Sequence, residues 1–275
     1  MNALVIFGLL AILMLTGMPI SISLGLTVLT FLFTMTQVPL ESVALKLFTG
    51  IEKFEIMAIP FFILAGNFLT HGGVAKRMIN FATSMVGHWY GGLGLAGVLA
   101  CALFAAVSGS SPATVVAIGS ILLPAMVKAG FPNKFGAGVI ATSGALGILI
   151  PPSIVMVMYS VATNTSVGAL FMAGVLPGLA LALTLGGVTW YRAKKFDYPR
   201  QPKATWGERW VSFRKSVWGL LLIVVVMGGI YTGIFTPTEA AAMSAVYAFI
   251  CAVFIYKDLG MKDVPKVLLN SANMS

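Results

Sequence analysis

The sequence predicts an all-α polytopic membrane protein, and three observations carry that prediction. The 275-residue chain is 59% hydrophobic and only 9% charged, against about 25% charged residues in an ordinary soluble domain. Fifty consecutive residues between Arg77 and Lys128 carry no charged side chain, and several apolar runs approach the roughly 20 residues that cross a bilayer. These runs are continuous and rich in Leu, Ala, Gly and Met. The short alternating segments of a membrane β-barrel read differently.

The net charge of +9 is a matter of position rather than an affinity for nucleic acid. Eight of the 17 basic residues fall within Arg192–Lys215, against only Asp197 and Glu208. A single basic stretch between spans marks the cytoplasmic side; a patch for a lipid headgroup or a partner is the alternative reading. With 192–215 fixed inside, 216–234 runs outward, turns at Thr236–Pro237, and 238–256 returns to Lys257, Lys262 and Lys266. Working backward, 167–191 runs inward, and 135–164 runs outward from Lys134. The N-terminal "MNALVIFGLL" lacks a basic flank and reads as a retained helix. Cys101 and Cys251 stand in apolar stretches without a second ligand-type neighbour and read as packing residues.

Two segments break the pattern. Residues 91–128 have basic flanks at both ends, and the two arms, 92–107 and 113–127, are each about 22–24 Å long at 1.5 Å per residue. That is short of the roughly 30 Å hydrocarbon core. The expectation is a re-entrant helical hairpin turning at "SGSSP", with its tip against protein or a wet cavity. The second break is Pro151–Pro152 in the middle of the apolar segment 135–164. Prolines have no N–H, so the carbonyls of Gly147 and Ile148 lose their helical partners. Interrupted helices at membrane depth point to a transporter binding site.

The chain also repeats faintly. Gly8–Leu10, an apolar run, Pro19 and a span to Thr36 resemble Gly219–Leu221, Pro237 and a span to Tyr256, with Lys46 and Lys266 following. The two copies run in opposite senses. The expected layout is a first inverted repeat at 1–215, comprising scaffold helices 1–90, the hairpin 91–128, the broken helix 135–164, the helix 167–191 and the basic loop 192–215. Residues 216–275 then begin a second repeat that lacks its own hairpin and broken helix, as in a truncated transporter or one half of an assembly.

"AAVSGSSPATVVAIGSILLPAMVKAGF", "GVIATSGALGILIPPSIVMVMYSVATNTSVGALFMAGVLPG" and "GIYTGIFTPTEAAAMSAVYA" closely resemble the large membrane (permease) subunit of tripartite ATP-independent periplasmic, or TRAP, transporters, along essentially the whole chain. The resemblance implies an ion-transporter-like inverted-repeat fold of elevator type in a bacterial inner membrane. It implies a sodium-coupled importer of organic acids such as C4-dicarboxylates or sialic acid. The implied partners are a small four-helix membrane subunit and a periplasmic substrate-binding protein. Family members are longer than this chain.

On that basis Ser108 and Gly109 at the hairpin tip are candidate ligands to Na⁺, a hard cation suited to oxygen. The backbone around Ala145, Gly147 and Ile148, with Pro151, is expected to complete the cation site. Ser110, Ser111, Thr114 and Ser153 are candidate substrate contacts beside helix N-termini. The competing structural readings are a self-satisfied hairpin turn and a proline kink between closely packed helices. Glu239 reads as a helix-start residue matched to the dipole, and His71 and His88 as interfacial anchors. An intramembrane serine hydrolase finds no base, because residues 135–191 contain no His, Lys, Asp or Glu. A re-entrant-loop channel and a non-transporting structural subunit are the remaining alternatives.

Overall fold

The structure is a computed structural model that describes all residues except 1, 37–38, 40, 42–44, 46–47 and 51. The Lys46 of the first repeat copy therefore lies outside the described residues. Among the described residues the regular structure is helical throughout, with no strand. Among the described residues five helices are long and apolar enough to cross a membrane, or up to six if one bent pair forms a single span. The chain is thus an all-α polytopic membrane protein.

Two compact units divide at Lys53 and Phe54. The first contains α1 (Asn2–Leu15) and α2 (Ile20–Met35), which pack together. Gly17 takes φ +82° between them and Pro19 precedes the first turn of α2, so the chain reverses where neither residue favours continued helix.

The second unit, 54–275, begins with a 3₁₀ turn at Phe54–Met57, followed by α3 (Ala58–His71) and α4 (Val74–Val86). Next come α5 (Gly92–Ser108), α6 (Ser111–Lys128), α7 (Asn133–Gly144), the single turn α8 (Leu146–Leu149) and α9 (Ile154–Thr163). The remainder is α10 (Val167–Lys195), α11 (Trp206–Tyr231), α12 (Pro237–Ile250) with a π turn to Ile255, and α13 (Val264–Met274). Its core is built from Phe62, Leu69, Met78, Phe104, Ile118, Leu122, Met126 and Phe171, all fully buried. Small residues set how closely the helices approach. Ala240, Ala241, Ala245 and Ala248 are buried on α12, which packs extensively on α3. This is the small-residue packing expected where lipid removes the hydrophobic drive between helices.

The basic segment 192–215 differs from the expected loop. Helix α10 continues to Lys195 and α11 starts at Trp206, leaving 196–205 as the connection. Thr205 and Glu208 form a reciprocal capping box, with Thr205 N–H donating to Glu208 Oε2 (2.7 Å) and Glu208 N–H to Thr205 Oγ (3.3 Å). That box starts a helix in spite of the charge around it, and Arg192, Lys194 and Lys195 suit the negative end of α10. The same device, Thr236 with Glu239, opens α12 at Pro237.

Candidate functional site

The hairpin tip is assembled by residue type. Helix α5 ends at Ser108 because Gly109 turns left-handed at φ +62°, a conformation that favours glycine. Ser110 is extended and caps α6, its Oγ accepting from Ala113 N–H at 3.5 Å, with Pro112 in the first turn. Thr114 Oγ donates to the Ser110 carbonyl at 2.8 Å and lies 3.0 Å from Ser108 Oγ. Ser108 and Thr114 are both fully buried.

The second break lies against this tip. Helices α7 and α8 form one arm, and α9 leaves at 42° to it. Ile150 N–H still reaches the Leu146 carbonyl at 2.8 Å, but the following two prolines donate nothing. The Gly109 carbonyl of the hairpin accepts from Ile154 N–H at 3.0 Å, satisfying the N-terminus of α9 from outside. A Cβ on Gly109 would stand 2.8 Å from the Pro152 carbonyl oxygen. One on Gly147 would stand 2.9 Å from the carbonyl carbon of Ser110 and from Ser111 N. The two interruptions, about forty residues apart in sequence, meet backbone to backbone.

The meeting has a definite electrostatic character. The C-terminal ends of α5 and α8 and the N-terminal ends of α6 and α9 converge there, bringing negative and positive helix ends to one place. Ser153 is fully buried at the head of α9, makes no cap, and its Oγ has no partner. Ser143, fully buried on α7, is likewise unpartnered. Buried hydroxyls elsewhere in this unit find partners, as Ser244 does in Ala241 O (2.6 Å), Ser271 in Val267 O (2.8 Å) and Ser216 in Arg77 O (2.9 Å). A buried hydroxyl without a partner costs about 1–3 kcal/mol, so two beside one helix break point to a ligand. Among the described residues no three His, Cys, Asp or Glu gather as a metal cluster; the oxygens at this site are hydroxyls and carbonyls, a neutral set fit for a monovalent hard cation.

Of the residues singled out in the sequence, Ser108, Gly109, Ser110, Ser111, Thr114, Gly147 and Ser153 belong to the two segments that meet. Ala145 is the half-buried residue between α7 and α8, Ile148 is 38% exposed, and Pro151 borders a separate apolar cavity with Val175, Met227 and Tyr231. Sequence reasoning missed Ser143, Gly144 and Gly66. Gly144 adjoins Val115, and a Cβ on Gly66 would stand 3.2 Å from Ser108 Cβ. Ser143 sits in the polar run "ATSG" and was findable; Gly66 lies in a plain apolar helix with no local signal.

The family model described as "Tripartite ATP-independent periplasmic transporter, DctM component" matches residues 7–275. The chain is 76% identical, over 289 aligned positions and all of its length, to the C4-dicarboxylate TRAP transporter large permease protein DctM of Rhodobacter capsulatus, covering 66% of that protein. It is 53% identical to the protein of the same name in Pseudomonas aeruginosa, over 92% of this chain and 59% of the relative. A more distant relative, the sialic acid TRAP transporter large permease protein SiaM of Vibrio cholerae, is 37% identical over 98% of this chain and 62% of its own length. The chain thus spans about three-fifths to two-thirds of these relatives, which are named as transporter permeases and not as enzymes.

Proposed function

Because this chain belongs to the DctM-component family of tripartite ATP-independent periplasmic transporters, we propose that it is the permease part of a sodium-coupled importer of organic acids. C4-dicarboxylates are the favoured substrate class, since the relatives at 76% and 53% identity carry that name. A periplasmic binding protein delivers the acid, and a small four-helix membrane subunit accompanies the permease in the bacterial inner membrane. The basic segment 192–215 faces the cytoplasm, as the charge rule requires.

One observation carries the reading: two helix breaks meet in an uncharged interior and leave Ser143 and Ser153 without partners. Na⁺ takes oxygens from Ser108, the Gly109 neighbourhood and the carbonyls of the 145–148 turn. The N-termini of α6 and α9, with Ser110, Ser111 and Ser153, offer N–H and hydroxyl donors to a carboxylate, and Thr114 joins them by turning its hydroxyl from the Ser110 carbonyl. Sodium bound at the carbonyl ends adds positive charge beside the anion, so each ligand favours the other. An elevator-like movement then carries the paired breaks across the membrane against the remaining helices.

The test is uptake of radiolabelled succinate into proteoliposomes holding the complete permease that carries this sequence, its small subunit and the soluble receptor. Uptake that requires both receptor and an inward Na⁺ gradient is expected. Gradient-independent flux without the receptor would make the hairpin a channel lining and overturn the proposal.

A further inference from the structure

A second site reaches the helix breaks only at Ile150. Helices α5 and α10, with Val86, Ile150 and Ile223, line an apolar groove of about 700 Å³. The α10 wall is a single stripe, Leu179, Ala182, Leu183, Gly186, Gly187 and Trp190. Its small members make the space, since a Cβ at Gly186 or Gly187 meets nothing within 4 Å. From Trp190 to Leu179 the groove runs about 16 Å at 1.5 Å per residue, which is half of the roughly 30 Å hydrocarbon core and the depth of one leaflet.

The groove does not end in bare apolar surface. Trp89 and Trp190, which line its mouth, also line an adjoining pocket of about 380 Å³ with His88, Tyr90 and Arg200. The Arg200 guanidinium lies flat on Tyr90 at 3.4 Å from the ring centroid. Stacking occupies its face and leaves its in-plane N–H groups for an anion. Gln201 N–H donates to the Gly87 carbonyl at 3.0 Å, which holds Arg200 in that position. Lys194 Nζ stands 5.2 Å from the Trp190 ring, and no carboxylate pairs with either cation among the described residues. His88 Nδ1 is buried without a partner.

We propose that this composite site binds one anionic glycerophospholipid, its phosphate against Arg200 and Lys194 and one acyl chain along the α10 stripe. The occupant follows from the arrangement. A slot one leaflet deep, capped by interfacial tryptophans and unpaired cations, matches an acyl chain joined to a phosphate. An apolar helix from another polypeptide has no use for the cationic mouth, and a soluble anion has none for the slot. The groove touches the second helix break at Ile150, but its cationic mouth at Trp89, Trp190 and Arg200 uses none of the residues placed at the paired breaks, and the site stands whether or not the chain transports sodium.

Native mass spectrometry of the protein released from nanodiscs of equal phosphatidylglycerol and phosphatidylcholine tests this. Wild type is expected to retain one phosphatidylglycerol in preference to phosphatidylcholine. Arg200→Ala should lower that preference about fivefold, the effect of one basic side chain near an anionic surface. Gly186→Leu should fill the slot and remove the retained lipid, while Gly138→Leu, also in open space, should leave it. Equal retention of the two lipids, or retention unchanged by Gly186→Leu, would refute the site. A photo-crosslinker at Gly187 that captures polypeptide instead of lipid would refute it equally.

Discussion

Gly147 is where one atom decides whether the two breaks touch. An alanine methyl there would stand 2.9 Å from the backbone of Ser110 and Ser111, and backbone cannot swing aside as a side-chain end can. Gly147→Ala should therefore cost about 1–3 kcal/mol of stability by overpacking and weaken Na⁺ binding at least tenfold in a thermal-shift titration. Gly138→Ala, in open space on α7, should be neutral or stabilising by about 0.5–1 kcal/mol, as for glycine in any helix. Ser153 predicts an opposite pair of signs. Its hydroxyl is buried and unpartnered, so Ser153→Ala should raise the melting temperature without ligands yet reduce the added stabilisation by sodium or succinate. A rise in both would return Ser153 to a packing role. The hydroxyls of the tip were legible in the sequence because fifty uncharged residues surround them. Gly66 was not, since its role comes from which helix lies opposite.

At the scale of elements, the double proline is the strongest local instruction. It ends α8, frees carbonyls and sets the 42° bend before α9. Replacing both Pro151 and Pro152 with leucine should let 133–163 run as one helix, draw Ile154 N–H away from the Gly109 carbonyl, and abolish sodium-dependent thermal stabilisation while the protein still inserts. Wild-type sodium affinity in that variant would remove the break from the site. This element was readable because proline acts through covalent structure and needs no neighbour. Helix ends inside the basic segment were read less well. The Thr205–Glu208 capping box has a plain T-x-x-E signature, and it starts α11 inside a stretch whose charge density suggests a loop.

At the scale of the molecule, residues 216–275, which the sequence leads one to expect as the start of a second repeat, form no separate body. Helix α11 packs on α4 and α12 on α3, so 54–275 forms one unit. Sequence periodicity records where a repeat begins, whereas packing follows which apolar faces match, and these are different divisions. One polar cluster ties the joined parts. Arg77 pairs with Asp258, sits 3.9 Å over the Tyr256 ring and donates to the Gly73 carbonyl at 3.0 Å. Tyr256 in turn donates to the Lys215 carbonyl at 2.8 Å, and Ser216 to the Arg77 carbonyl at 2.9 Å. The ion pair is partly exposed, so by itself it contributes about 0–1 kcal/mol, and the cation–π contact adds about 0.5–1 kcal/mol. The two variants should therefore differ. Asp258→Ala leaves Arg77 on Tyr256 and should cost well under 1 kcal/mol, nearly all of it lost in high salt. Arg77→Ala removes both contacts and should cost about 1–2 kcal/mol, with a part that salt does not screen. Thermal unfolding of both variants and the double variant in one detergent measures this. Equal losses that vanish together in salt would show that the ion pair alone, without the aromatic face, holds α4 to the 251–258 turn.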